Sequence, residues 1–215
     1  MVEGGGLLAQ AVAAGWEVEA QFVAPGADAV RCDAPLYEFA PNVLERVATT
    51  EHPQPVIGVV RLRAAALPTD ASFVMVADRV ADPGNAGTII RSAEAAGAQA
   101  VVFTPGSVDP FNPKVVRATA GSLFRVPVVA AGLDAVRAAG VRVLATSSHH
   151  GTPYTDADLV SPVAVVMGNE AHGVPEDAPV DGWLTIPHAG PTESLNVAMA
   201  ATVLAFEVAR QRRGR

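Results

Sequence analysis

Three short segments combine glycine with polar side chains in patterns that could do chemistry. They span residues 85–91 (NAGTIIR), 168–173 (GNEAHG) and 186–196 (IPHAGPTESLN). Each follows an apolar, strand-like run, and an open α/β sheet binds its ligands at the carboxyl ends of such strands. Glycine lets the backbone approach a ligand closely, and a few polar groups could do chemistry there. The pattern predicts an enzyme site assembled from three loops.

Each segment also has a purely structural interpretation. Asn85 and Ser194 are residue types that cap the start of a helix, and helix N-termini also attract anions. Residues 168–173 could form a plain turn, with His172 facing solvent. Asn196 is harder to explain in this way, because it falls in the first turn of an apolar helix and a buried amide needs hydrogen-bond partners. The segments taken singly therefore leave both interpretations open.

Several familiar kinds of site are disfavoured by missing residues. His149 and His150 lack the spaced His, Cys or carboxylate partners of a metal site, so we expect a polar loop and no metal there. The chain has no G-x-G-x-x-G turn and no acid after the strand at Ala100–Phe103, which argues against a dinucleotide-binding dehydrogenase. A phosphate loop ending in Gly-Lys-Ser/Thr is absent, and Ser194 does not lie in the G-x-S-x-G elbow of an α/β-hydrolase.

Composition limits the location and partners of the protein. No apolar run approaches the ~18–20 residues that cross a bilayer, and the opening MVEGGG lacks the basic and apolar parts of a signal peptide. The single cysteine, Cys32, excludes an internal disulfide and suits a reducing compartment. We therefore expect a cytoplasmic protein that does not bind membranes. The net charge of −7 argues against coating nucleic acid by bulk electrostatics, although residues 79–125 hold five basic against three acidic side chains.

The order of apolar runs predicts the fold class. Strand-like runs at 73–77, 100–103, 126–129, 141–145, 163–167 and 183–186 are interrupted by helical stretches at 85–96, 133–139 and 194–212. Such alternation predicts an α/β fold with a mostly parallel sheet covered on both faces. Before a break at 62–71, helices at 7–14 and 42–50 and strands at 19–24 and 56–60 predict a small α/β unit. We expect a small domain at 1–64, a linker at 65–71 and a larger domain at 72–215.

The three segments together resemble the motifs of the SpoU (TrmH-like) branch of the SPOUT RNA methyltransferases. The family pattern is N-x-G-x-x-x-R, then G-N/S-E-x-x-G, then I-P-M-x-G-x-x-x-S-L-N-V-S-x-A. The run RATAGSLFRVPVV at 117–129 is also similar to the family, and the resemblance covers about residues 72–210. His188 stands where the family usually has Met, and Ala198 where it usually has Ser. Residues 1–60 are similar, more weakly, to a ribosomal-protein-like RNA-binding domain, which we expect to be shortened here.

The resemblance implies a fold, a cofactor and an assembly. It implies a SPOUT-type sheet with a C-terminal trefoil knot, S-adenosylmethionine as the cofactor, and a homodimer whose active site uses both subunits. The apolar character of residues 195–206 independently favours a final helix that is buried, in part against another subunit.

The resemblance also implies residue roles. Arg91 is the expected principal catalytic residue, with Asn85, Glu170, Ser194 and Asn196 around it. The expected cofactor-binding residues lie in the second and third loops: Gly168, Asn169, Glu170, Ile186, Pro187, Ser194, Leu195 and Asn196. The implied reaction methylates a ribose 2′-hydroxyl in RNA, and the RNA-binding-like first domain favours large-subunit rRNA over tRNA. A non-catalytic RNA-binding or ribosome-assembly factor on the same fold is the main alternative.

Overall fold

Apolar β-branched runs form the strands of two sheets in the structure, a computed structural model that describes residues 1–40, 42–47, 53–191 and 194–213. The first sheet contains β1 (Val2–Glu3), β2 (Val18–Val23), β3 (Leu36–Glu38) and β4 (Val56–Val60). The second contains β5 (Phe73–Ala77), β6 (Ala100–Phe103), β7 (Val128–Ala130), β8 (Arg142–Thr146), β9 (Thr152–Pro153), β10 (Val163–Met167) and β11 (Gly182–Thr185). The helices are α1 (Gly5–Ala13), α2 (Val43–Val47), α3 (Pro83–Ala95), α4 (Pro113–Ala118), α5 (Leu133–Ala138) and α6 (Val197–Arg212), with a 3₁₀ helix at Ser122–Phe124.

The second sheet is parallel throughout and confirms the expected α/β class. Its strand order is β7-β6-β5-β10-β8-β11-β9, and each neighbouring pair is parallel. Every residue of β5 and β10 is buried, as expected for central strands covered on both faces. The chain runs outward from β5 to β7 and then returns to the other side of β5. The ends of β5 and β10 are therefore neighbours at the point where the strand order reverses, where α/β sheets bind ligands.

The two faces of this sheet have separate apolar layers. Along β5, the side chains of Phe73 and Met75 join one layer, and those of Val74 and Val76 join the other. The first layer includes buried residues of α3, α4 and α6, and the second includes Val136 of α5. Residues of the first sheet and of α1 also belong to the first layer, so the apolar core is continuous between the two sheets.

The first sheet has the order β1-β4-β2-β3 and is partly antiparallel. Helix α1 packs closely on β4, since its Leu8 side chain occupies the space that a Cβ on Gly58 would need. Such a Cβ would lie 2.4 Å from Cδ1 of Leu8, so glycine allows the close approach. Helix α1 ends at Ala13, one residue before the predicted end, and Gly15 follows with φ 72°, a conformation that glycine adopts without strain. Strand β3 was not predicted, because its three exposed residues lack any apolar alternation.

The first or last residues of several helices and strands were predicted wrongly. Helix α3 begins at Pro83 rather than at residue 85, and α6 begins at Val197 rather than at residue 194. Strands β7, β8 and β11 are each shifted by one or two residues from the predicted runs. The short helix α4 was not predicted, and the end of the helix expected at 42–50 lies outside the described residues. Within the described residues, no helix is both long and apolar enough to cross a membrane.

Candidate active site

The carboxylate of Glu170 is the point at which the first and second loops meet. It accepts hydrogen bonds from the backbone N–H groups of Ala81, at 3.1 Å, and Asp82, at 3.0 Å. The side-chain amide of Asn85 donates to the same carboxylate at 3.1 Å. The third loop joins through Asn196, whose side-chain Nδ2 donates to Oδ1 of Asn85 at 3.0 Å. Three of the predicted site residues therefore form one connected polar network.

The start of α3 differs from the interpretation in which Asn85 is the N-cap. The N-cap is Asp82, whose Oδ1 accepts from the backbone N–H of Asn85 at 2.7 Å. Asn85 lies inside the first turn, and its side chain is thereby free to bridge Glu170 and Asn196. The prediction of Asn85 as the cap was wrong because a neighbouring acid does the capping.

Gly87 has a structural role in the first loop. A Cβ added to it would lie 2.3 Å from Cβ of Ala118, so this glycine allows α3 and α4 to pack closely.

The start of α6 also differs from prediction. Its N-cap is Asn196, whose Oδ1 accepts from the backbone N–H groups of Ala198, at 2.9 Å, and Met199, at 3.2 Å. The possible capping role of Ser194 is therefore filled by Asn196. One amide side chain caps α6 through its oxygen and binds Asn85 through its nitrogen, which explains why an amide stands at this position.

The second loop is folded tightly on itself. A Cβ added to Gly168 would lie 2.3 Å from the carbonyl carbon of Gly173, so only glycine fits where the chain returns. Backbone hydrogen bonds join Asn169 and Gly173 in both directions, at 3.2 and 2.9 Å. The Oδ1 atom of Asn169 also accepts from the N–H groups of Ala171 and His172. These hydrogen bonds fix the backbone on both sides of Glu170 and thereby the position of its side chain.

A polar cluster beside this loop was not predicted from the sequence. Arg79 has a left-handed backbone (φ 55°), and its carbonyl oxygen accepts from Nδ2 of Asn169 at 2.8 Å. Its guanidinium contacts the buried carboxylate of Asp78 at 3.1 Å and the carbonyl oxygen of Gly173 at 3.3 Å. Thr104 donates to Asp78 at 2.7 Å. Because a non-glycine residue in this backbone region stores strain, the cluster marks a position where the fold holds the loop firmly.

Two opposing effects act on the pKa of Glu170. Partial burial raises it, while hydrogen bonds from the Ala81 backbone, the Asn85 side chain and the Asp82 backbone lower it, and the net shift is downward. Glu170 is therefore ionised at neutral pH and is a weaker base than an ordinary glutamate. Its negative charge also lies at the N-terminal end of α3, where the helix dipole favours an anion.

A cavity of about 590 Å³ opens beside this network, at the carboxyl ends of β10, β8 and β11. That volume lies within the range of small-molecule and cofactor sites. Of the predicted cofactor-binding residues, those that line it are Gly168, Asn169, Glu170, Ile186, Ser194, Leu195 and Asn196. Pro187 is not among the lining residues, whereas His188 and His172 are.

One wall of the cavity was missed by sequence reasoning. It consists of residues 146–149 at the end of β8, together with Trp183 of β11. The segment containing His149 and His150 was interpreted only as a polar loop. Its position directly after an apolar strand was the available signal. Within the described residues, no group of His, Cys, Asp and Glu side chains is arranged to hold a metal ion.

Arg91 is not among the residues that line the cavity. It is on the exposed side of α3, two turns beyond the first turn, and does not line the cavity of its own chain. In the described part of the chain, its guanidinium makes no hydrogen bond or ion pair. The structure thus connects Asn85, Glu170 and Asn196 directly but leaves Arg91 facing outward.

Comparison with known sequences gives a consistent result. The SpoU rRNA Methylase family matches residues 72–206. The 23S rRNA (guanosine(2553)-2′-O)-methyltransferase RlmP of Bacillus subtilis is 39% identical over 180 residues, covering 80% of this chain and 71% of that protein. A 23S rRNA (uridine(2479)-2′-O)-methyltransferase of Streptomyces viridochromogenes is 36% identical over 191 residues, covering 81% of this chain and 67% of that protein.

A solved structure resembles almost the whole chain. The SpoU methyltransferase AviRb from Streptomyces viridochromogenes, in complex with the cofactor AdoMet, superposes with a TM-score of 0.87. The two chains are 32% identical, and the match covers 99% of this chain and 90% of that one. Both sheets of the present structure therefore lie within the match.

Proposed function

The chain belongs to the SpoU rRNA methylase family, and from that premise we propose that its three-loop site methylates a ribose 2′-hydroxyl of large-subunit rRNA. It is an S-adenosylmethionine-dependent RNA 2′-O-methyltransferase. The single observation that carries the assignment of the site is the network in which Glu170 and Asn196 join all three family motifs beside one cavity.

The residues around the cavity suit this cofactor. Bound S-adenosylmethionine supplies a methyl group activated by a positively charged sulfonium. The ionised carboxylate of Glu170 supplies a negative charge at the cavity wall. The tight turn at Gly168 and the backbone near Ile186 and Leu195 offer peptide groups for hydrogen bonding. The proposed cofactor-binding set is Gly168, Asn169, Glu170, Ile186, Pro187, Ser194, Leu195 and Asn196.

Arg91 is proposed to act on the RNA. A ribose hydroxyl is weakly acidic, so the site must stabilise the oxyanion as it forms and hold it in line with the methyl group. A guanidinium stays protonated throughout the physiological pH range, so it cannot act as the base. Its fork of donors can hold an adjacent phosphate and stabilise the developing 2′-oxyanion. The lowered pKa of Glu170 makes that residue a positioning group rather than the preferred proton acceptor. As the ribose oxygen bonds to the methyl carbon and the carbon–sulfur bond breaks, the hydroxyl proton therefore passes to water or to the adjacent phosphate.

The exposed position of Arg91, outside the lining of its own cavity, supports a shared active site. Helix α6 buries one face and exposes apolar side chains on the other, namely Met199 (64% exposed), Val203 (37%) and Phe206 (42%). These residues recur at helical spacing, so they form one stripe that a second copy would cover. In the proposed homodimer, Arg91 of a second copy faces the cavity of the first. The proposed C-terminal trefoil knot, formed by residues that precede and include α6, belongs to the same domain.

The first sheet is proposed to help select the RNA. We assign residues 1–64 to a ribosomal-protein-like RNA-binding domain, 65–71 to a linker and 72–215 to the methyltransferase domain. The two curated relatives act on 23S rRNA, which supports rRNA over tRNA as the substrate.

The test is transfer of radiolabelled methyl from S-adenosylmethionine to total RNA, with rRNA and tRNA then separated. We expect the label in large-subunit rRNA. Label in tRNA alone would replace the substrate assignment. Calorimetry with S-adenosylmethionine runs alongside as a control. Absence of both label and binding would instead favour a non-catalytic assembly factor.

A further inference from the structure

One segment of this acidic chain, which includes α3 and α4, carries a net positive charge. The chain carries a net charge of −7, yet residues 79–125 hold five basic and three acidic side chains. Three of the five basic residues lie on α3 and α4, namely Arg91, Lys114 and Arg117, and all three are exposed. Lys114 is the only lysine in the sequence.

Two helices that pack against each other carry these three cations. Helices α3 and α4 touch where a Cβ on Gly87 would lie 2.3 Å from Cβ of Ala118. Arg91 is four residues beyond Gly87 and Lys114 is four residues before Ala118, so each lies one turn, about 6 Å along its helix, from the contact. Arg117 is next to Ala118 in the sequence. The cations therefore flank one crossing point.

Two acids near these helices form ion pairs. Glu94, one turn beyond Arg91, is paired with Arg125 at 3.0 Å. Glu3, whose side chain is almost fully buried, lies 3.8 Å from Arg117 and partly offsets that charge. Within the described residues, no ion pair involves Arg91 or Lys114. The exposed surface of α3 and α4 thus carries net positive charge.

We propose that Arg91, Lys114 and Arg117 form a track that binds the RNA phosphates flanking the target nucleotide. The inference rests on the proposed function and adds the surface by which the RNA enters. An RNA backbone matches the track because phosphate contacts from Lys and Arg fix register and orientation without reading sequence. Arg91 holds the phosphate nearest the reacting ribose, and Lys114 holds one further along the strand.

The track is continuous with the first sheet. The Arg117–Glu3 pair links α4 to β1, and Arg125 donates to Oε1 of Gln10 on α1 at 2.9 Å. A strand that leaves the active site along α4 therefore runs toward the domain proposed to bind RNA. This path gives the two domains a common RNA-facing side.

Because Lys114 is exposed and glutamine is a good helix former, Lys114→Gln isolates its charge without disturbing the fold. We expect the KM for rRNA to rise about fivefold and kcat to change less. The slope of log binding constant against log salt concentration should become smaller by about one, because one phosphate contact is lost. Lys114→Arg should restore most of the affinity. The control is Arg137→Gln on α5, which lies on the opposite face of the sheet and should leave all three quantities unchanged.

The single lysine also allows a direct footprint. Amine acetylation of the wild-type protein, read by mass spectrometry, should modify Lys114 in the free protein and be suppressed when rRNA is bound. Equal acetylation with and without rRNA, or an unchanged KM and salt slope in Lys114→Gln, would overturn the track. Wild-type methyl transfer is measured in the same assay. Its absence would count against the proposed function, whereas normal transfer with an unprotected Lys114 counts against the track alone.

Discussion

The two ends of α3 are built for different purposes. At its N-terminal end, Asp82 caps the helix, and Glu170 and Asn196 bind Asn85, so the backbone and side chains are held by the chain itself. Two turns further on, Arg91 projects from an exposed surface. One chain therefore preorganises the proposed cofactor side of the site and leaves the proposed RNA side open. The open side is completed by RNA and, in the proposed dimer, by a second copy.

The largest effect is expected from breaking the proposed dimer. Placing carboxylates in the apolar stripe of α6, by Met199→Glu with Phe206→Glu, should give a monomer, because a buried interface does not tolerate unpaired charges. We expect methyl transfer to be abolished while the folded α/β structure is kept. Sedimentation and circular dichroism measure the two properties. A wild-type protein that sediments as a stable monomer at micromolar concentration would refute the shared site.

Arg91 tests the open side on its own. Arg91→Ala should lower kcat by at least ~100-fold, the usual loss when one oxyanion-stabilising donor is removed. Arg91→Lys should also lose most activity, because a point charge does not reproduce the bidentate geometry of a guanidinium. The affinity for S-adenosylmethionine should change little in either variant, since Arg91 does not line the cavity. Near-wild-type turnover by Arg91→Lys at saturating cofactor would exclude a role for bidentate hydrogen bonding by the Arg91 guanidinium.

Gly168 tests the preorganised side. In Gly168→Ala the new methyl group would meet the returning backbone at Gly173, so the second loop must shift by about 1 Å, a displacement that can cost up to ~100-fold in activity. We expect cofactor affinity to fall at least tenfold by the same geometric argument. Gly132→Ala, at the start of α5 and outside the site, is the matched control, because its φ is −79° and a Cβ there meets no atom within 4 Å. Equal cofactor affinity in the two variants would show that the second loop does not shape the pocket.

The pH dependence of stability gives the smallest effect. The folded pKa of Glu170 is lowered, so its stabilisation is present above the unfolded value of about 4.3 and is lost as the pH falls through the folded value. Glu170 is exposed, so solvent screens much of this effect, and Glu170→Gln should lower the Tm by no more than about 2 °C at neutral pH. The difference from wild type should shrink as the pH falls below about 4.3. Glu38→Gln, at an exposed position on β3, serves as the control. A Tm difference that stays constant down to acid pH would contradict an ionised, hydrogen-bonded Glu170.

The central strands could be predicted from the sequence because their signal is local. The runs at β5 and β10 are short, apolar and β-branched, and the predicted bounds agree with the structure. The start of α3 could not be predicted in the same way. Asn85 is a suitable cap, but its side chain bonds to Glu170, 85 positions away in the sequence. The helix-capping preference of a residue depends on its near neighbours in sequence, so it does not predict this long-range hydrogen bond.

The candidate site was predictable in part for the same reason. Its three motifs are contiguous in sequence, so Glu170 and Asn196 could be proposed in advance. The wall at residues 146–149 was missed because β8 lies between β10 and β11 in the sheet, an order that the sequence does not display. The cluster of Asp78, Arg79 and Thr104 was also missed, since it joins the ends of two strands through a left-handed residue.

The central claim is that this site methylates a ribose 2′-hydroxyl, and product analysis tests it most directly. Large-subunit rRNA is labelled with radioactive methyl from S-adenosylmethionine by the wild-type protein and by Arg91→Ala, and then hydrolysed in alkali. A free 2′-hydroxyl is needed for alkaline cleavage, so a 2′-O-methylated nucleotide remains in an uncleaved dinucleotide. We predict that the wild-type label is recovered in one alkali-resistant dinucleotide and that Arg91→Ala gives almost none. Label recovered in mononucleotides would place the methyl group on a base and contradict the account.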